Sequence, residues 1–251
     1  MKQLRMLLTG LGQLPAKILH FMRRYRYVRA RIMLPSLPGG QAACGQDVFV
    51  AALLGNKRGG VFVDIGANDG VSISNSIHFE QALGWSGLAV EPLPEVYEKL
   101  LKSRHCQTLN ACITPKAGTA TFITLTGGTG SSDMLSTLSA NYSGLTRRRL
   151  EKNAIRQGAQ LGKITVQCLP FADAMTQAGI RDIDFLSVDT EGGELTILKN
   201  VDFSRYPTKV ISVENNFFTN DIRSYLEAQG FIYMGTFKVD EIYMHRSLTT
   251  A

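Results

Sequence analysis

The sequence predicts an α/β protein: one doubly wound, mostly parallel seven-stranded sheet with helices on both faces and an antiparallel C-terminal edge hairpin. Three observations predict it. Short apolar runs alternate with helix-period segments from about residue 48 to the end. No internal repeat and no second linker breaks that alternation. The last two strand-like runs are separated only by a short turn, which suits an antiparallel pair.

The elements follow in order. Val48–Leu54 has helical spacing, and Val61–Ile65 is an apolar-rich run read as a buried strand. Val71–Leu83 reads as a helix and Gly87–Glu91 as a strand. Pro94 opens a helix to Leu101, because proline suits the first helical position. Gln107–Ala111 is a strand, and Ala120–Leu125, β-branched after a Lys-Ala-Gly turn, is another. Ile164–Leu169 (strand), Phe171–Gln177 (helix), Ile183–Val188 (strand) and Gly193–Lys199 (helix) continue the alternation. Lys209–Glu214 is a strand, and Asp221–Gln229 a helix ended by Gly230. Phe231–Thr236 and Glu241–His245 form the closing hairpin.

Thr126–Gly162 interrupts this rhythm. Its first part is rich in Gly, Ser and Thr and reads as a loop; Thr146–Gln157 reads as a basic helix. A long insert among short connections suggests a lid or recognition loop. The domain reading is therefore a basic amphipathic arm over 1–35 and one main domain over 36–251, with the lid at 126–162.

Charge separates the arm from the body. The net charge is +6, but residues 1–35 hold eight of the 27 basic residues and no acid, leaving 19 basic against 21 acidic beyond them. A near-neutral body argues against nucleic acid as the partner. Ile18, Phe21, Met22, Tyr25, Val28 and Ile32 recur at helical spacing beside arginines. Such a helix packs on the domain or lies on an anionic membrane surface, which would make the arm a peripheral membrane contact. The arm has no apolar run long enough to span a bilayer and no small-residue cleavage site. Cys44, Cys106, Cys112 and Cys168 form no C-x-x-C pair, which argues against structural zinc and for reduced thiols in a cytoplasmic protein.

In an open parallel sheet, ligands bind outside the carboxyl ends of the strands. The first strand ends in "VFVDIGANDG" (61–70), with Gly66 and Gly70 four apart. It lacks the third glycine of a dinucleotide fingerprint. The second strand ends at Glu91, roughly 20 residues past the glycines, where an acid suits both hydroxyls of a ribose.

These residues carry a resemblance. "FVDIGANDG" with "AVEP" looks like the cofactor site of class I S-adenosylmethionine-dependent methyltransferases. The blocks from Gly45 to Leu100, "IDFLSVDTEGGELTILKNV" and "VISVEN" resemble the FkbM-type methyltransferases, over about Gly45 to Tyr233. The resemblance implies a Rossmann-like fold with S-adenosylmethionine as cofactor. Asp64 and Gly66 would line its methionine moiety, Asn68 and Gly70 would shape the turn, and Glu91 would hold the ribose. Asn110 or Ala111 would sit beside the adenine. It also implies O-methylation of a small-molecule or glycan acceptor, such as a sugar or natural-product hydroxyl.

A hydroxyl acceptor must lose its proton, which calls for a general base or an acidifying metal. The strand-end acids are Asp189, Glu191 and Glu194 in "VDTEGGEL" and Glu214 in "SVENN". Two roles stay open. Asp189, Glu214 and Asn215 could hold Mg²⁺ or another divalent cation, as hard oxygen ligands do. They resemble the Asp and Asp-Asn pair of catechol-type methyltransferases, with Glu214 in place of an Asp. Alternatively, Asp189 or Glu191 is the base and Glu214 holds the acceptor. Glu194 is expected to be structural, His78 a packed or solvated residue and Trp85 a packing residue. The competing reading is a non-catalytic adaptor that keeps the fold. The acceptor's identity and the oligomeric state are left open.

Overall fold

The computed structural model describes residues 31–127, 136–142 and 144–249. Residues 1–30 of the basic arm, and with them most of its expected helix, lie outside the described residues.

The main sheet contains β1 (Val61–Ile65), β2 (Ser86–Val90), β3 (Gln107–Leu109), β8 (Ile183–Val188), β9 (Thr208–Glu214), β10 (Phe231–Phe237) and β11 (Asp240–His245). Its order is β3-β2-β1-β8-β9-β11-β10. Pairing is parallel from β3 to β9; β11 is antiparallel to both β9 and β10. The hairpin thus ends the sheet as expected, with its second strand folded inward beside β9. The chain reverses its direction of winding between β1 and β8, so a crevice opens above their carboxyl ends.

Alternation along the strands divides the core. Phe62, Phe185 and Val210 face α1 (Gln46–Leu53) and α2 (Ile77–Leu83), packing with Phe49, Phe79 and Trp85. Val63, Leu186 and Ile211, each the next residue along, face the other side. There they pack with Phe171 and Met175 of α5 (Phe171–Ala178), Ile197 of α6 (Glu194–Lys199) and Leu226 of α7 (Asp221–Ala228). This period of two with helices on both faces is the doubly wound arrangement. Trp85 is core, as expected, and its indole N–H donates to the Lys57 carbonyl at 2.7 Å.

The outer edge of β10 is covered locally. Thr236 N–H donates to the Ile32 carbonyl and Leu34 N–H to the Thr236 carbonyl, at 2.8 and 2.7 Å. These bonds occupy backbone groups that a bare edge strand would present to other chains.

Two expectations are corrected. The helix expected over Val71–Leu83 begins only at Ile77. Asp69 accepts from the N–H groups of Val71 and Ser72, and Ser74 Oγ from those of Ser76 and Ile77. Such short polar side chains compete with the helical ladder and hold the segment in turns. The strands around Ala120–Leu125 and Ile164–Leu169 do not join the main sheet. They are longer, β5 (Gly118–Thr126) and β7 (Gln160–Leu169), and pair antiparallel in a second sheet. That sheet has the order β4-β7-β5-β6, with β4 (Cys112–Ile113) and β6 (Thr137–Leu138). Leu93 and Val96, at the start of α3 (Pro94–Ser103), pack with Phe122, Val166 and Cys168 of this sheet. Between β6 and β7 runs α4 (Gly144–Gln157), the basic helix of the insert.

Candidate active site

The first turn after β1 is pinned to its neighbour. Gly66 and Ala67 both donate N–H to the Val90 carbonyl, at 2.9 and 3.0 Å. Gly66 has φ +90°, and a Cβ there would lie 1.8 Å from the Asp189 carbonyl oxygen. What approaches this glycine is therefore the end of β8, and the close approach brings Asp189 over β1. Asp189 N–H returns a bond to the Ile65 carbonyl at 2.9 Å. Gly70 (φ +80°) closes the turn against the side chains of Leu100, Ser103 and Arg104.

Glu91 follows β2. Its Oε2 accepts from Asn68 N–H at 3.0 Å and its Oε1 from Leu93 N–H at 2.9 Å. Each oxygen keeps a lone pair free for a further donor. Burial raises the Glu91 carboxyl to about 7 against the pull of those two bonds, and nearby Asp64 adds to the rise. Asp64 is also raised, chiefly by burial, and accepts from Ser76 Oγ at 2.6 Å. Behind Ser76 stands the buried Arg104, which donates to that hydroxyl at 3.1 Å and to Glu80 at 2.6 Å.

A cavity of about 690 Å³ lies above these strand ends. Asp64, Gly66, Asn68, Glu91 and Ala111 line it; Cys112, Ile113 and Phe122 extend the wall into the second sheet. Its size and its mix of apolar wall with a few polar groups are those of a small-molecule site. Asn110 is placed differently from expectation. Its amide donates to the carbonyls of Glu91 and Pro92 and stitches the turn after β2, outside the cavity wall.

The far wall is acidic. Asp189 directly follows β8, Glu214 ends β9, and Glu191 sits in the loop before α6; one oxygen from each lies within 4.8 Å of the others. Glu191 has φ +59°, a left-handed conformation that costs about 1–3 kcal/mol and tends to mark functional loops. Burial pushes Asp189 and Glu214 well above the carboxylate range, and the mutual repulsion of the acids adds to this. Asp240, the register partner of Glu214, stands behind them; burial raises it to about 7 while Gln46 donates to it at 3.1 Å.

Arg149 of α4 reaches into this group. Its Nη1 contacts Glu191 Oε2, and its Nη2 lies 3.3 Å from Glu191 Oε1 and 3.8 Å from Glu214 Oε1. Asn216 donates to Glu191 Oε2 as well, at 3.3 Å. Glu214 Oε2, by contrast, is buried and has no hydrogen-bond partner among the described residues. Glu194 accepts from Thr190 N–H, Thr190 Oγ1 and Gly192 N–H, a structural cap on its own loop. His78 lies outside the cavity wall, its ring edge-on to Phe79.

The cation fit is poor at the third ligand. Asn215 does not turn toward the acids. Its Oδ1 accepts from Thr219 N–H and its Nδ2 donates to the Thr219 carbonyl, closing the loop after β9. Arg149 is the functional residue that sequence reasoning missed. The run "TRRRLEK" signalled a basic helix, but nothing in it distinguishes Arg149 from Arg147 or Arg148.

Comparison with known proteins bears on this geometry. The methyltransferase FkbM domain family matches residues 64–233, more than half of the chain. No curated protein matches. Among solved structures, a methyltransferase FkbM from Methylobacillus flagellatus KT aligns at 12% identity with a TM-score of 0.46, covering 97% of this chain and 58% of that one. The N-terminal domain of human METTL16 aligns at 13% identity and TM-score 0.44, covering 92% and 81%. A precorrin-6y C5,15-methyltransferase from Geobacter metallireducens GS-15 aligns at 15% identity and TM-score 0.40, covering 83% and 90%. Likenesses this loose carry no functional weight. The chain spans little more than half the length of the first of them.

Proposed function

Because the chain belongs to the FkbM methyltransferase family, we propose that it moves a methyl group from S-adenosylmethionine to a hydroxyl of a sugar, glycan or natural-product acceptor. A carboxylate of the Asp189–Glu214 pair takes the hydroxyl proton. The observation that carries this reading is Glu214, which lines the cavity that also holds Glu91 and whose Oε2 is buried with no hydrogen-bond partner among the described residues. A buried polar atom without a partner costs about 1–3 kcal/mol, which a donor such as an acceptor hydroxyl would relieve.

The residues present fit the family's cofactor. Glu91 offers one free lone pair on each oxygen to a ribose diol, and Ala111, Cys112 and Ile113 line the same cavity with apolar surface for a base. When bound, S-adenosylmethionine supplies a methyl already activated on a sulfonium. The task left to this chain is to hold an acceptor oxygen in line with that methyl, about 3 Å away, and to accept its proton. Asp189 or Glu214 would take the proton of the acceptor hydroxyl, and the bound cofactor would supply the methyl and leave as the neutral thioether. A carboxyl whose pKa is raised by burial is a stronger base, once ionised, than an ordinary one. Glu191, with both oxygens engaged by Arg149, serves as that arginine's anchor.

Incubation with methyl-labelled S-adenosylmethionine and hydroxyl-bearing sugars tests the reading. Label in an alkali-stable ether, with one S-adenosylhomocysteine released per methyl, is the expected product. Label only in an alkali-labile ester or on nitrogen would overturn the hydroxyl as acceptor.

A further inference from the structure

We infer that the Arg149 guanidinium is the resident counter-ion of the Asp189–Glu191–Glu214 cluster, standing where a divalent cation would otherwise stand, so that the centre works without metal. The inference rests on the proposed methyl transfer for its functional half and on geometry alone for its binding half.

Three carboxylates converging within 4.8 Å need a positive charge or protons among them. A divalent cation would fit three hard oxygen ligands. Here the charge comes from the protein. The guanidinium grips Glu191 through two nitrogens and turns one of them toward Glu214 Oε1 as well. Its planar fork suits such bridging, and it stays charged at every working pH. Asn215, the neutral oxygen ligand that a cation would recruit beside Glu214, is turned into its own loop on both sides of its amide.

The position of Arg149 gives the arrangement a second consequence. It stands on α4, in the insert between the strands of the second sheet, so the same ion pair fastens the roof helix to the ends of the main sheet. Gly192, next to Glu191, also meets this roof: a Cβ there would lie 3.5 Å from Thr146 Oγ1 and 3.6 Å from Asn141 Cβ. Glu214 Oε2 is buried and has no hydrogen-bond partner among the described residues. The guanidinium therefore offsets part of the cluster's negative charge while its contact with Glu214 is through Oε1 and not Oε2.

Removing the guanidinium should convert the cluster into a cation site. The probe is Mn²⁺, followed by its paramagnetic resonance signal and by calorimetry on the full chain at about pH 8, since deprotonation of the ligands favours cation binding. Wild type should bind Mn²⁺ no more tightly than a non-specific acidic surface, and Arg149→Met should bind one ion at least tenfold more tightly. S-adenosylhomocysteine affinity, read in the same samples, should stay within about threefold, since Glu91 is untouched. Arg149→Lys keeps a charge but not the fork, and should fall between the two in Mn²⁺ affinity. Stoichiometric Mn²⁺ on wild type, or no gain in Arg149→Met, overturns the inference. A second arm needs no variant: turnover of wild type after exhaustive chelation should be undiminished, and its loss with recovery on adding Mg²⁺ would also overturn it. If the methyl-transfer reading failed instead, turnover would be absent throughout while the Mn²⁺ contrast persisted.

Discussion

The two ends of the cavity are built differently. At the β1–β2 end a carboxylate is held by backbone N–H groups of the adjoining turns: Glu91 accepts from Asn68 and Leu93, and the turn at Gly66 hangs from Val90. At the β8–β9 end Glu191 is held by side chains instead. Arg149 comes from the insert, Asn216 from the loop after β9, and one carboxylate oxygen is left without a partner. The first end is a finished socket whose hydrogen bonds leave little to adjust. The second is charged, strained at Glu191 and unsatisfied at Glu214, which is what a site for making and breaking an oxygen–hydrogen bond requires.

The comparison breaks most visibly in turnover. Asp189→Asn and Glu214→Gln should each lower methyl transfer by about 10²–10⁴-fold, the usual range for losing a general base. If the two acids act as a unit, the double variant should be little worse than the poorer single one. Single-turnover rates decide this. Multiplied losses would mean that the acids work independently.

Stability against pH separates the ends next. Burial raises Glu91 and Asp240 to about 7, so the folded state binds their protons more tightly than the unfolded chain does. Their contribution is complete below about pH 4 and is lost as pH rises through about 7. Each group can change stability by up to about 1.4 kcal/mol per pH unit inside that window. The ligand-free protein should therefore melt at lower temperature at pH 8 than at pH 5. Glu91→Gln should remove the share of the socket end, and Asp240→Asn the share from behind the acids. Asp69, Glu80 and Asp184 are lowered, so their contribution is lost only on the acid side of the same scan. A melting temperature that rises from pH 5 to pH 8 would contradict this.

The smallest effect concerns backbone strain. Ile73, on the socket side, is 58% exposed and has φ +49°, an unfavourable conformation for a β-branched residue. Ile73→Asn should stabilise the fold by about 1 kcal/mol in denaturant titration, because asparagine tolerates that region. A loss of stability would show that Ile73 makes a packing contribution larger than its strain.

The same contrast explains what was legible in the sequence. The socket depends on local chemistry, so the strand, the glycine turn and the acid one strand later could be read directly, and the family's cofactor assignments to Asp64, Gly66, Asn68, Glu91 and Ala111 fall on the cavity wall. The meaning of Gly66 was not legible, because the atom that forbids a side chain there belongs to Asp189, far along the chain. Asn110 and Asn215 have the right residue type at the right strand ends, but an asparagine can face a ligand or bond to its own backbone, and periodicity does not choose between them. The start of α2 was lost to the same competition at Asp69 and Ser74. The second sheet was missed because β5 and β7 carry the alternation of any half-covered strand, and which sheet they join depends on tertiary packing. Arg149 was hidden for a related reason: the acids it serves lie about 40 residues away or more, and three consecutive arginines offer no pattern to rank them.

The most direct test of the two-ended cavity is calorimetric titration of S-adenosylhomocysteine into wild type, Glu91→Ala and Glu214→Gln. Wild type should bind one molecule, Glu91→Ala should bind at least tenfold more weakly, and Glu214→Gln should bind as wild type does. No binding to wild type, or equal binding by Glu91→Ala, would contradict the account.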